Sequence, residues 1–99
     1  MSASNIKSVQ KTSTASAVAG RTRLLGVYFT NTATASSLVF KDGGSGGTAR
    51  LSLVTPAAAG SQDLIVPDMG ILFESGIHVT FGSADATSVT LFFEGGAAA

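Results

Sequence analysis

The 99-residue chain predicts an all-β fold: a single small antiparallel β-sandwich or jelly roll of about seven to eight strands, with an N-terminal arm. Three observations lead there. Short apolar stretches follow one another at close spacing, separated by Gly, Ser, Asp, Asn and Pro, which is the rhythm of a sandwich or barrel. No window of the ten or more residues that a helix needs shows helical periodicity. The length allows one core and no second.

The elements follow in chain order. Residues 1–20 are dominated by Ser, Thr, Ala and Lys, with Ile6, Val9 and Val18 as the large apolar residues after Met1, and read as an arm, mobile or pinned by a neighbour. A weak strand is expected over 6–12. Strands are then expected at 23–30 (RLLGVYFT), 37–41 (SLVFK), 49–55 (ARLSLVT), 63–66 (DLIV), 70–74 (GILFE), 76–81 (GIHVTF) and 88–94 (SVTLFFE). NTATAS, DGGSGGT, PAAAGSQ, PDM and GSADAT supply turns or loops between them, and PAAAG has the length of one helical turn before glycine closes it. The division is therefore an arm (1–20), a β-sandwich domain (21–96) and a frayed tail (97–99).

Six basic and six acidic residues cancel, so the chain lacks the positive field that nonspecific nucleic-acid binding or attachment to anionic membranes requires. No apolar run reaches the 18 or so residues of a membrane helix, and no continuous apolar stretch of leader length stands at the N-terminus. The expectation is a chain that is soluble or embedded in a protein assembly, without nucleic-acid or membrane partners. Charged residues make up 12% of the sequence, half the roughly 25% usual in soluble domains, which suggests that much of the surface faces something other than water. Cysteine is absent and histidine occurs once, so neither disulfides nor a metal cage is available to support a small, glycine-rich fold. Partners remain.

The stretch KDGGSGGTAR (41–50) invites comparison with a phosphate cradle. That cradle needs GxxxxGK[ST] between a strand and a helix; here Thr48 and Ala49 follow Gly47, with no lysine and no helix. The dinucleotide pattern fails for the same reason. A hairpin between two strands of similar length is the expected structure. His78 alternates with Ile77 and Val79 and reads as a partly exposed strand histidine without a nucleophile to serve; any role it has is expected in pH-sensitive assembly. Asp42, Asp63, Asp68, Glu74, Asp85 and Glu94 flank turns or strand ends, without the clustering of a glycosidase pair or a calcium loop. Arg21 and Arg23 lie on one side of a strand, as a solvated edge or a dock for an acidic strip. No catalytic, metal or cofactor site is expected, and the chain is not expected to be an enzyme.

The informative feature is apolar character on both faces of several strands: Leu38-Val39-Phe40, Leu64-Ile65-Val66, Ile71-Leu72-Phe73 and Leu91-Phe92-Phe93. A sandwich buries the inner face of each sheet only. Val39, Ile65, Leu72 and Phe92, or their immediate neighbours, are thus expected to face outward, where each apolar side chain forgoes about 1.5–3 kcal/mol of burial. A contiguous patch of that kind marks a subunit interface, unless bulges and crossing loops hide it within one chain. Ile6, Lys7, Val9 and Lys11 are the expected docking residues of the arm.

The cysteine-free chain, its Ser/Thr/Ala arm and segments such as AVAGRTRLLGVYFTNTATASSLVFKDG and GIHVTFGSADATSVTLFFEGG resemble small structural virion proteins of tailed bacteriophages, of the kind that decorates or cements the capsid or forms an accessory part of head or tail. The likeness spans most of residues 18 to 96 and is one of composition and strand rhythm. It implies a trimeric β-sandwich or jelly-roll protomer, made in the host cytoplasm and sited on the capsid surface, that binds and stabilises the lattice of the major capsid protein through its arm. It carries no catalytic residues. The rival reading is a carbohydrate- or receptor-binding β-sandwich module of a phage tail or fibre; against it stand the absence of tryptophan and a single tyrosine, Tyr28, in a strand expected to be buried.

Overall fold

The computed structural model describes residues 6–67 and 69–99; the first five residues of the expected arm, and Asp68 among the turn acids, lie outside them. Among the described residues eight strands form, all antiparallel: β1 (Lys7–Lys11), β2 (Ala15–Asn31), β3 (Ser37–Asp42), β4 (Thr48–Val54), β5 (Gly60–Ile65), β6 (Ile71–Phe73), β7 (Gly76–Phe81) and β8 (Ala86–Ala98). Their order is β1-β8-β2-β7-β3-β4, with β5 and β6 also paired to β2.

β2 organises the molecule. One edge is lined by β8 from Val18↔Ala98 to Asn31↔Ala86, and the other by β7 at 15–19, β6 at 22–24 and β5 at 26–31. A strand this long stays flush with four neighbours because it is interrupted. Register shifts fall between Ser16 and Val18, Ala19 and Thr22, Leu24 and Gly26, and Thr30 and Asn31, and such irregularities bend a strand and sharpen its twist. The sheet therefore folds over. Val27 and Phe29 of β2, Leu38 and Phe40 of β3, Ile77 and Val79 of β7, and Val89, Leu91 and Phe93 of β8 meet in one buried cluster.

Alternation decides what faces that cluster. In β8, Val89, Leu91 and Phe93 are buried whereas Thr87 and Phe92 are exposed; in β3, Leu38 and Phe40 are buried around a half-buried Val39. The irregularity at Leu24–Gly26 resets the phase of β2, so Leu24 and Val27, three apart, both point inward and Tyr28 points out. Tyr28 is 42% exposed, which corrects the expectation of a buried tyrosine: a period-two reading of RLLGVYFT has no signal for the extra residue.

Residue 20 marks no break. β1 pairs with β8, and β2 passes through Gly20 without ending. Residues 97 and 98, expected to fray, pair with Ala19 and Val18. PAAAG forms bends rather than a helical turn. The glycine loop is the expected hairpin, with Asp42 opposite Thr48 and Gly47 N–H donating to the Gly44 carbonyl at 2.9 Å. A Cβ on Gly47 would collide with the carbonyl of Asp42, whereas Gly44 and Gly46 have open space around them. Only part of the glycine in GGSGG is thus sterically required.

Polar groups close the corners. The Asp42 carboxylate accepts from the backbone N–H groups of Ser75 (2.9 Å) and Glu74 (3.2 Å) in the turn between β6 and β7, and from Arg50 (3.3 Å) across the hairpin. The Ser75 bond above all, helped by those of Glu74 and Arg50, holds its pKa below the ordinary carboxylate value, against an opposing effect of desolvation that exceeds the Glu74 and Arg50 contributions taken singly. Buried Thr55 joins the ends of β3 and β4: its Oγ1 accepts from Ser36 N–H at 2.7 Å, and its own N–H donates to the Ser36 carbonyl at 2.9 Å. Asn31 Nδ2 donates to the carbonyls of Thr32, Pro56 and Ala58, pinning the β4–β5 connection to the end of β2.

Candidate functional site

The register of β1, β8, β2 and β5 aligns Ser8, Phe92, Gly26 and Ile65 in one row across four strands. The row lies on the face opposite the core, since Leu91 and Val27, one residue along, are buried. Gly26 contributes no side chain, and its backbone floors a groove of about 530 Å³ walled by Phe92 and Ile6 on one side and by Asp63 to Val66 on the other, with Leu25 at its end. Ile65 is 78% and Phe92 39% exposed.

The depression continues toward the start of β2. Leu25 also lines a second hollow with Arg23, Met69 and Glu94, and Arg23 and Glu94 line a third with Arg21, Leu72 and Gly95. Register partners explain the grouping: Arg23 stands between Leu72 of β6 and Glu94 of β8. The three adjoining hollows make up a trough along the outer face, apolar at Gly26 and Phe92 and charged at Arg21, Arg23 and Glu94, with the two cations in excess. Tyr28 stands past the apolar centre at the other end, between its partners Asp63 and Thr90.

Three of the four expected interface residues, Ile65, Leu72 and Phe92, lie along this trough. Val39 does not; it sits half-buried on β3, between Ser52 of β4 and Thr80 of β7. The arm residues are engaged by their own chain. Val9 packs against the core, while Lys7 Nζ donates to the Gly96 carbonyl (2.9 Å) and Lys11 Nζ to the Ala99 carbonyl (3.0 Å). Ile6 lines the groove. Leu25, Gly26 and Tyr28 are parts of the site that sequence reading missed, because the irregularity that turns them outward is set by pairing with β8.

His78 faces away from the core between register partners Ser16 and Lys41, its Nδ1 at 3.5 Å from Thr80 Oγ1. Among the described residues no group of three or more His, Asp or Glu side chains is placed to hold a metal ion, and no helix is long and apolar enough to cross a membrane. No known protein family, curated protein or solved structure matches the chain.

Proposed function

We propose that the chain is a structural protein that works by assembly, and specifically a capsid decoration or cement protein of a tailed bacteriophage, oligomeric and bound to the lattice of the major capsid protein on the virion surface. One observation carries the assembly reading: an apolar trough on the outer face, built from Phe92, Ile65, Leu25 and Ile6 over a glycine floor. Isolated soluble domains keep such contiguous apolar surface small unless it is a binding site. The low charge content of the chain points the same way. Composition and strand rhythm supply the capsid component of the proposal.

Co-sedimentation with capsids, and with purified major capsid protein, tests it. Saturable binding that Phe92→Lys weakens is expected; pelleting that is neither saturable nor sensitive to the groove counts against it.

A second reading draws support from Tyr28. An exposed aromatic ring flanked by Asp63 and Thr90 provides the stacking surface and polar neighbours with which a β-sandwich module holds a sugar. A glycan array decides: a saturable hit abolished by Tyr28→Ala supports the receptor-binding role.

A further inference from the structure

From the arrangement of charge along the trough we infer that its occupant is a second copy of this chain, packed face to face about a two-fold axis that crosses the strands at the level of Gly26 and Phe92. This deepens the assembly reading and rests on it.

An isologous contact demands a surface complementary to itself. Measured along β8, Arg23 (opposite Glu94) lies two positions before Gly26 (opposite Phe92), because the irregularity at Leu24–Gly26 takes up one residue, and Tyr28 (opposite Thr90 and the register partner of Asp63) lies two positions after it. A two-fold axis in the plane between two such faces keeps position across the strands and reverses position along them. Each Arg23 then comes over the partner's Tyr28, one strand spacing from the partner's Asp63. A long guanidinium spans that distance of about 4.8 Å, meeting a carboxylate and an aromatic face together. Glu94 offsets one cation at the basic end, but Arg21 supplies another, so the end stays positive while the Asp63 end is negative.

The centre fits as well. Phe92 rings from the two copies meet beside two facing glycine floors, which leave the rings room to lean into, and sheets pack at about 10 Å when their side chains interdigitate. A standard interface takes roughly 800 Å² from each partner, which the 41 × 33 × 20 Å extents of the molecule accommodate. The zero net charge of the chain opposes no such approach. The symmetry favours a dimer as the basic unit, where the phage resemblance implies a trimer.

Sedimentation equilibrium of the full chain, from micromolar to millimolar concentration, is the test. A monomer–dimer equilibrium is expected, with the dimer dissociation constant raised about tenfold or more by Phe92→Lys, Arg23→Asp or Asp63→Arg. Combining Arg23→Asp with Asp63→Arg returns association toward that of the parent chain, because the two reversed charges face each other again. Thermal melts at dilution confirm that each variant folds. A chain that stays monomeric at every concentration overturns the inference, as does a trimer indifferent to Phe92→Lys or a double swap no better than either single one. A monomer that still binds capsids through Phe92 sinks the dimer alone; a dimer that ignores capsids sinks the capsid reading alone.

Discussion

Gly26 of β2 and Phe92 of β8 are register partners on the outer face, and a Cβ placed on Gly26 would stand 3.6 Å from the Cδ2 atom of that ring and 3.1 Å from the Leu64 carbonyl oxygen. The groove exists because residue 26 lacks a side chain. Phe92 borders that space, while its neighbour Phe93 points into the core. Two adjacent phenylalanines thus serve opposite sides of one strand.

That division predicts opposite outcomes for the two. Phe93→Ala empties a fully buried site and is expected to cost about 3–5 kcal/mol in urea unfolding. Phe92→Lys is expected to stay within about 1 kcal/mol of the parent chain at dilution, as surface substitutions do, while weakening association. Equal loss of stability from both changes contradicts the outward assignment of Phe92.

Asp42 makes a pH-dependent contribution. Its folded pKa is depressed, first by the Ser75 N–H bond, so its contribution is fully present above the unfolded carboxyl value of about 3.9 and is lost as pH falls through the lower folded value. The stability difference between the parent chain and Asp42→Asn is therefore expected to be constant near neutrality and to shrink on acidification below about pH 4. A difference that grows with acid, followed by urea unfolding across that range, rejects the assignment.

Thr55→Val keeps shape and removes the buried acceptor of the partly buried Ser36 N–H. An unpaired buried donor costs about 1–3 kcal/mol. The variant is expected to lose that much stability and to show faster hydrogen exchange at the Ser36 amide, whereas Thr55→Ser retains both.

The glycine loop separates into required and dispensable positions. Gly47→Ala pushes a methyl group into the Asp42 carbonyl and is expected to lower the melting temperature; Gly46→Ala, with open space around it, is expected to shift stability by no more than about 0.5 kcal/mol. Parallel thermal melts of the two variants make the comparison.

The parts of this structure visible in the sequence are those where side chains alternate. GIHVTF is β7 residue for residue, and SLVFK is β3 short of its last residue. Residues 15–22 and 95–98 escaped notice because small residues dominate them, as where Ala19 pairs with Ala97. A backbone ladder needs no large side chain, so such stretches carry no hydrophobic period. The trough was half legible. Apolar runs flagged Ile65, Leu72 and Phe92, but the positions of Leu25, Gly26 and Tyr28 depend on an irregularity fixed by a strand some sixty residues away in sequence.

The pairing of β2 with β8 has a consequence for biogenesis. β2 and β8, far apart in sequence, are neighbours in the sheet, and β2 is paired along one edge with β8 from Val18↔Ala98 to Asn31↔Ala86. During synthesis β2 emerges well before β8 can pair with it, and contacts so distant in sequence form slowly. Nascent copies therefore spend that interval with one edge of β2 unpaired, which makes crowding of unfinished chains, or a shortage of chaperones, the point at which yield is lost.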